Sequence, residues 1–242
     1  KLRQGITTEI IGNCGSSAFP LLGAMLDEER EDNKSIGLDV NWSTMSEYAD
    51  RLAQAKPAIN LATFVGHSSI RGSVLGFEDR PPSTGELSTM MRHVEEAMEG
   101  GALGLSTGLI YAPGMFADRQ ELVECQKAAA KRGGMYSSHV RGEGDTLIEA
   151  ADEFLAVCEG ANCQGQFAHL KASGPRNWGK VARVIGMIED TNAGGRRVRF
   201  DKYPYIASST SLGSLLPRWA RAGGRDAILE RLDDPAFRDR IV

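Results

Sequence analysis

The chain has 242 residues, of which 41% are hydrophobic and 25% are charged, a composition typical of a folded globular protein. This composition excludes a disordered or collagen-like chain, and a length near 250 residues suits a single α/β barrel domain. The formal net charge of −4 gives no global attraction to nucleic acid or to an anionic membrane, so neither is expected as a partner.

The number of cysteines and the length of the apolar runs indicate the cellular compartment of the protein. The four cysteines are too few and too irregularly spaced for a secreted disulfide scaffold, which favours a reducing compartment. No apolar run reaches the roughly 20 residues that span a bilayer, and the segment from Lys1 onward has no signal-peptide pattern. The sequence therefore predicts a cytoplasmic protein. Because it lacks an initiator Met and opens almost directly on a strand-like run, we also expect a segment of a longer protein.

Short β-rich runs alternate with longer amphipathic runs, which predicts βα units and a parallel sheet. Six strands are predicted, at 5–12, 60–66, 101–106, 135–140, 164–170 and 198–203. Helical spacing of apolar residues predicts helices at 44–55, 84–99, 118–131, 146–158 and 178–191. Residues 208–242 are predicted to be irregular, with a charged helix near 225–232. A closed (β/α)8 barrel needs eight strands, so the predicted sheet is two strands short of one.

The carboxyl ends of the predicted strands carry three residues that can bind a metal. Loops at these ends converge over one mouth in βα folds. Cys14 follows the first strand, while His139 and His169 lie at the ends of the fourth and fifth. Thiolate and neutral imidazole are preferred zinc ligands, and three of them plus a water form an open, catalytic site. Taken singly, Cys14 also fits a small buried residue and each histidine a hydrogen-bonded core residue, so the predicted zinc site rests on all three.

Other polar residues near the strand ends have supporting roles in this interpretation. His67, after the second strand, is predicted to support the metal ligands rather than to bind metal. Arg141 and Glu143 follow a candidate ligand and are predicted to hold their loop together as an ion pair. His93 lies inside a helical pattern and is predicted to face solvent. Nucleotide and protease signatures such as Walker A, G-x-G-x-x-G, H-E-x-x-H and G-x-S-x-G are absent from the sequence.

Six longer motifs follow one another along the chain: GITTEIIGNCG (5–15), VGHSSIR (65–71), GALGLSTGLIYAPG (101–114), YSSHVRGE (136–143), AHLKASGPRNWGK (168–180) and DKYPYIASST (201–210). In this order they resemble the N-acyl-D-amino-acid deacylases, or D-aminoacylases, of the amidohydrolase superfamily. The resemblance implies a TIM-type (β/α)8 barrel, of which residues 1–242 supply strands two to seven as a single catalytic domain. It also implies zinc-dependent hydrolysis of the amide bond of an N-acyl-D-amino acid, a small-molecule substrate, to a carboxylate and a free D-amino acid.

The resemblance also implies roles for individual residues. The tight zinc site of the family corresponds to Cys14, His139 and His169. The residues that bind the substrate α-carboxylate and orient the substrate correspond to Tyr111, Lys171, Tyr203 and Ser208. The family's H-x-H pair, which serves a second and weaker metal site, and its general-base Asp are not found in this sequence, and the Asp is expected beyond Val242. We therefore expect residues 1–242 alone to bind about one zinc and to show little deacylase activity.

Three other interpretations stay open from the sequence. A cyclic amidohydrolase, related to hydantoinase or dihydroorotase, would share the barrel, but such enzymes usually bridge two metals with a carboxylated Lys, and no strand-end Lys lies beside Cys14. A non-catalytic metal-binding barrel fragment is the second alternative. A phosphate-binding barrel enzyme is the third, with weak support from the segment 171–179.

Overall fold

Parallel β-strands in two hydrogen-bonded groups form the centre of the computed structural model, which describes residues 1–241. The strands are β1 (Thr8–Ile11), β2 (Asn60–Thr63), β3 (Val65–Gly66), β4 (Gly104–Gly108), β5 (Met135–His139), β6 (Gly165–Phe167) and β7 (Val198–Phe200). β1 pairs with β2, and β3 to β7 form a five-stranded sheet in the order β3-β4-β5-β6-β7. Every pairing is parallel, as the alternating sequence pattern predicts.

The predicted strand at 60–66 is present as two short strands that pair on opposite sides. β2 pairs with β1, β3 pairs with β4, and Phe64 interrupts the run between them. The backbone N–H of Phe64 donates to Ile11 O, and that of Leu103 donates to Thr63 O, so hydrogen bonds continue across the interruption. All six predicted strand positions therefore contain strands, and these hydrogen bonds link the two groups. That these are strands two to seven of an eight-stranded barrel stays a prediction.

Helices connect most successive strands, and two more follow β7. They are α1 (Gly23–Lys34), α2 (Met45–Ala55), α3 (His67–Leu75), α4 (Thr84–Glu99), α5 (Arg119–Ala130), α6 (Leu147–Gly160), α7 (Lys180–Ala193), α8 (Gly224–Asp233) and α9 (Pro235–Arg238). The five helices predicted between strands are confirmed to within two residues at each end, and the helix predicted near 225–232 corresponds to α8. Residues 208–241 otherwise contain 3-10 turns at Leu212–Leu215 and Arg218–Ala220, together with the short α9. No helix in residues 1–241 is both long enough and apolar enough to cross a membrane.

Side-chain caps begin α4 and α5. Ser83 caps α4 in a full capping box, in which its side chain accepts the N–H of Glu86 and the Glu86 side chain accepts the N–H of Ser83. Asp118 caps α5 by accepting the N–H of Glu121. These caps satisfy backbone N–H groups that the first helical turn leaves without partners.

The hydrophobic core lies between the strands and the helices that cover them. Around β5 and β6, Tyr136 and Phe167 pack on Phe154 of α6, with ring centroids 5.6 and 5.2 Å from the Phe154 ring. All three rings are buried. This packing anchors the two strands whose carboxyl ends carry His139 and His169.

Candidate metal centre

The three predicted zinc ligands converge at the carboxyl ends of the strands. One ligand atom from each of Cys14, His139 and His169 lies within 4.8 Å of the other two. Cys14 Sγ is 3.7 Å from His169 Nε2. The rings of His139 and His169 are nearly perpendicular, with centroids 4.4 Å apart. This spacing allows one ion to contact all three side chains.

Two glycines allow the turn that carries Cys14 to lie against the end of β4. Cys14 has a left-handed backbone with φ 55°, and Gly15 follows with φ 79°. A Cβ on Gly15 would lie 2.5 Å from Gly108 N, and a Cβ on Gly108 would lie 2.0 Å from Cys14 O. Both distances are too short for any side chain, so this close approach requires glycine at both positions. The N–H of Gly15 also donates to Ser106 Oγ at 3.1 Å, which fixes the turn.

His139 ends β5 as a buried ring that lacks hydrogen-bond partners. Among the residues that the structure describes, neither Nδ1 nor Nε2 of His139 has one. Burial lowers the pKa of His139 to about 4, so its imidazole is neutral near pH 7. A buried polar group without a partner is costly, and a metal bond would satisfy one ring nitrogen. The environment of His139 therefore fits a metal ligand.

His169 presents its two ring nitrogens to different groups. Nε2 faces Cys14, whereas Nδ1 lies 3.2 Å from Glu143 Oε1 and 2.7 Å from Lys171 Nζ. Burial opposes protonation, but hydrogen bonds with the Cys14 thiol and the Glu143 carboxylate raise the pKa of His169 to about 9. A bound metal would displace this proton.

Glu143 lies beside two of the candidate ligands. Its carboxylate pairs with the Lys171 ammonium and faces His169 Nδ1, and its Oε1 is 3.7 Å from His139 Nε2. Burial would raise the pKa of Glu143, but the hydrogen bonds from His169 and Lys171 hold it below its usual value. A carboxylate that accepts from the second nitrogen of a metal-binding histidine fixes the ring and increases its basicity.

The predicted ion pair between Arg141 and Glu143 is wrong. Arg141 Nε instead donates to Glu153 of α6 at 2.9 Å, and its terminal nitrogens donate to the carbonyl oxygens of Met115 and Ala117 at 2.8 Å each. Arg141 thus points away from the candidate metal centre, and Glu143 is left to pair with Lys171. The pattern of charges within one loop could not distinguish these partners, because both lie on other segments.

Three of the four predicted substrate-binding residues line one cavity beside His169. Lys171, Tyr203 and Ser208 contribute to this cavity, whose volume is about 700 Å³. The Lys171 ammonium lies 5.5 Å from the centre of the Tyr203 ring. The Tyr203 hydroxyl is buried and has no hydrogen-bond partner among the described residues. The Tyr203 and Ser208 hydroxyls can donate to an anionic ligand next to the metal centre, and the Lys171 ammonium, which pairs with Glu143, lines the same cavity.

The fourth residue, Tyr111, packs on another side of the metal centre. Its ring meets the His139 ring edge-on at 5.1 Å, and its hydroxyl hydrogen-bonds Thr210 Oγ1 at 3.0 Å. Tyr111 lines a second cavity, which it shares with Arg221. Tyr111 therefore contacts a candidate ligand but does not line the cavity of Lys171.

The environments of His67 and His93 differ from those that the sequence predicts. His67 begins α3 and is fully buried, and its Nε2 lies 2.9 Å from Glu121 Oε1; no hydrogen bond among the described residues joins it to a candidate ligand. The prediction that His93 faces solvent is wrong, because its side chain is only 13% exposed and its Nδ1 lies 3.0 Å from Glu96 Oε2. His93 lines a cavity together with Phe19 and Met45, and the sequence pattern of the helix alone did not indicate these neighbours.

Asp201 was assigned no role from the sequence, yet it contacts a candidate ligand. Its Oδ1 accepts the backbone N–H of His169 at 2.6 Å, and its Oδ2 accepts from Gln166 Nε2 at 2.7 Å. The available signal was its position directly after the strand run at 198–200, which pairs with the strand that leads to His169. The carboxyl ends of adjacent parallel strands meet at one edge, so an acid there can reach the neighbouring strand end.

Comparison with known proteins gives several relatives of this chain. No model of a protein family matches it. In Alcaligenes xylosoxydans xylosoxydans, an N-acyl-D-glutamate deacylase is 38% identical over 212 residues, a D-aminoacylase 33% over 219, and an N-acyl-D-aspartate deacylase 33% over 213. Each alignment covers 88% of this chain but only 42–43% of the relative. The chain thus spans less than half the length of these curated relatives.

Solved structures give the same result at the level of the fold. The N-acyl-D-glutamate deacylase of Bordetella bronchiseptica, complexed with zinc and a phosphonate mimic of the tetrahedral intermediate, superposes with a TM-score of 0.77 at 33% identity. The superposition covers 85% of this chain and 43% of the deacylase chain. A D-aminoacylase described as defining a novel subset of amidohydrolases also gives 0.77, at 32% identity, over 86% of this chain and 44% of its own. A D-aminoacylase studied for its binuclear metal centre superposes with a TM-score of 0.76 at 31% identity, and the superposition covers 85% of this chain and 43% of the D-aminoacylase chain. The chain therefore has the α/β fold of these enzymes over most of its length.

Proposed function

We propose, because this chain is homologous to the N-acyl-D-amino-acid deacylases over most of its length, that the protein carrying it hydrolyses the amide bond of an N-acyl-D-amino acid. The observation that carries the proposal is the convergence of Cys14, His139 and His169 at one end of the parallel strands. Because the chain spans under half of its relatives, this activity is proposed for the whole protein.

The donor set of the candidate centre supports zinc as the metal. One thiol and two imidazoles are soft and borderline ligands, which favour zinc over magnesium or calcium. The unpartnered nitrogens of buried His139 fit a ligand better than a core residue. Zinc bound by these three side chains would supply Lewis-acid polarisation of the acyl carbonyl and a lower pKa for the attacking water.

The cavity beside His169 supports a carboxylate-bearing substrate. The Lys171 ammonium supplies a point charge, and the buried Tyr203 hydroxyl needs a hydrogen-bond acceptor that a carboxylate oxygen can provide. Ser208 adds a hydroxyl on the cavity wall. In this proposal Tyr111 packs against the His139 ring and orients the substrate from the opposite side. The general base is proposed to be an Asp outside these 242 residues.

The test is hydrolysis by the whole protein that carries this chain. We expect it to release free amino acid from N-acetyl-D-glutamate or N-acetyl-D-methionine but not from the L enantiomers, and to contain bound zinc. Replacing a metal ligand by Cys14→Ser should lower kcat/KM by more than about 100-fold, because even the groups that support metal ligands contribute about 10–100-fold. Cys163→Ser, which changes a half-buried thiol outside the cluster, is the matched control.

Two results would contradict the proposal. One is a zinc-loaded protein that hydrolyses neither D substrate. The other is hydrolysis of a hydantoin in place of the linear amides, which would favour the cyclic amidohydrolase alternative.

A further inference from the structure

The backbone of the candidate ligand His169 has an unusual conformation. Its φ is +40°, in the left-handed region that residues with a side chain rarely adopt. His169 lies two residues beyond the end of β6, in a turn that leads away from the strand. A non-glycine residue persists in this region only when its surroundings hold it there.

Asp201 supplies the contacts that hold this turn. Its Oδ1 accepts the His169 N–H at 2.6 Å. The main chain of Asp201 bonds the residues on either side of the turn, since its N–H donates to Phe167 O at 3.2 Å and its carbonyl oxygen accepts from Leu170 N at 2.9 Å. Three hydrogen bonds from one residue therefore span the backbone that carries His169.

The orientation of the Asp201 carboxylate is itself fixed. Gln166 of β6 donates through Nε2 to Oδ2 at 2.7 Å, while Oδ1 faces the His169 N–H. Each carboxylate oxygen thus already accepts a hydrogen bond from β6 or from the turn that follows it. This arrangement suits a residue that positions another and not one that takes a proton from a water.

The left-handed turn determines where the His169 ring lies. With the turn in place, Nε2 is 3.7 Å from Cys14 Sγ and the ring centroid is 4.4 Å from that of His139. A change to an ordinary right-handed backbone at His169 would redirect its Cα–Cβ bond and remove the ring from the other two ligands. The convergence of the three ligands therefore depends on the contact between His169 and Asp201.

We propose that Asp201 is the positioning residue for the metal ligand His169, which it holds through the backbone N–H in the conformation that completes the zinc site. This inference rests on the proposed function for the existence of a metal site. It assigns Asp201 no proton transfer.

The test measures zinc affinity by competition with a chromogenic chelator, on the whole protein. Asp201→Ala removes the acceptor, and we expect it to weaken zinc binding by about 10–100-fold, the range typical of groups that support metal ligands. Asp201→Asn keeps one oxygen that can accept the His169 N–H, and Gln166 can turn its amide to match, so we expect affinity within about threefold of the parent. Asp145→Ala, which removes an exposed carboxylate paired with Arg176, is the control and should leave the affinity unchanged.

A second readout separates positioning from a general loss of structure. The cobalt-substituted protein should show thiolate-to-cobalt charge transfer and d–d bands of a tetrahedral site in the parent and in Asp201→Asn, and altered bands in Asp201→Ala. The unfolding midpoint of the metal-free protein should fall no further than the loss of one surface hydrogen bond implies. If Asp201→Ala does not fold, Gln166→Met, which frees the carboxylate to rotate, should still weaken zinc binding severalfold.

The proposal is overturned if Asp201→Ala binds zinc as tightly as the parent and its cobalt spectrum is unchanged. If Asp201→Ala does not fold, the proposal is overturned when Gln166→Met binds zinc as tightly as the parent. A parent protein that binds no zinc overturns it together with the proposed metal site. A parent that binds zinc and hydrolyses no N-acyl-D-amino acid contradicts only the proposed function, because the affinity series does not depend on activity.

Discussion

Glu121 is a buried carboxylate that joins two other buried polar side chains beside β4. Its two oxygens face His67 Nε2 and Arg71 Nη1, and all three side chains are at most 2% exposed. Arg71 also donates to the carbonyl oxygens of Glu78 and Arg80, which ties the loop after α3 to the same cluster. Removal of one partner from a buried ion pair leaves the other charge without compensation, which is more costly than loss of the attraction alone.

We expect Glu121→Gln to lower the free energy of unfolding by about 3–5 kcal/mol, because the fully buried Arg71 loses its only carboxylate partner among the described residues. Urea unfolding followed by circular dichroism measures the change. The control is Glu124→Gln, three residues further along α5, which removes an exposed pair with Lys127 and should cost at most about 0.5 kcal/mol. Equal losses in the two variants would show that the buried pair contributes nothing beyond a surface one.

The Glu121 carboxylate also makes the difference in unfolding free energy between the parent and Glu121→Gln depend on pH. Burial opposes ionisation, but hydrogen bonds from His67 and Arg71 hold the pKa of Glu121 below its usual 4.5. A carboxylate with a lowered pKa in the folded state stabilises fully above the unfolded pKa and loses this contribution as the pH falls through the folded pKa. The gap between the parent and Glu121→Gln should therefore shrink as the pH falls below about 4.5. A gap that grows on acidification would contradict this assignment.

Residues at strand ends were predictable from the sequence, and residues that act across segments were not. Cys14, His139 and His169 could be selected because a parallel sheet collects strand-end residues at one edge. Glu143 was misassigned because its true partner Lys171 lies beyond the next helix. Asp201 was left without a role because its contact is to a backbone N–H, which no sequence pattern records.

At the scale of elements, the turn that carries Cys14 depends on its close approach to the end of β4. We expect Gly108→Ala to weaken zinc binding by about tenfold or more, because its new Cβ would lie 2.0 Å from the carbonyl oxygen of Cys14 and 2.9 Å from Tyr111 Cδ2. Overpacking of this kind costs about 1–3 kcal/mol, and 1.4 kcal/mol corresponds to a tenfold change in affinity. Isothermal titration with zinc measures the change.

Gly85→Ala is the matched control for this substitution. Gly85 lies in the first turn of α4, and a Cβ there would meet nothing within 4 Å. It should leave zinc affinity unchanged. If Gly108→Ala binds zinc as tightly as the parent protein, the Cys14 turn does not need its contact with β4.

The bounds of a helix could be predicted where one of its sides faces the core. The bounds of an element could not be predicted where contacts with other segments determine them. α3 was not predicted because its residues are buried almost all round, so no amphipathic pattern is present. The strand predicted at 101–106 begins at Gly104 instead, because Gly100 and Gly101 form the turn that ends α4, with φ 100° at Gly101. The run 60–66 was read as one strand because its division at Phe64 depends on which neighbour each half pairs with.

At the scale of the whole molecule, the order of the strands follows from the βα alternation alone. Connections through helices lead from β1 to β2 and between successive strands from β3 to β7, and in each of these steps the strand pairs parallel with the one before it. The resemblance to N-acyl-D-amino-acid deacylases, inferred from six motifs, is confirmed by relatives at 33–38% identity and by superposition on their structures. The candidate metal centre demands more than the fold, because it needs side chains from three separate βα units to meet at one point.

The candidate ligands are far apart in the chain, so zinc affinity and global stability should be linked. Cys14 and His169 are separated by 155 positions and meet only in the folded state. A ligand that binds only the folded protein stabilises it by about 2.7 kcal/mol at a free concentration 100 times its Kd, which for a chain of this size raises Tm by about 5–10 °C. We expect this rise with zinc, its reversal by EDTA, and no rise with magnesium, which prefers oxygen ligands. His169→Ala should abolish the zinc effect and His93→Ala, outside the cluster, should preserve it; an equal rise in both variants would place the bound zinc elsewhere.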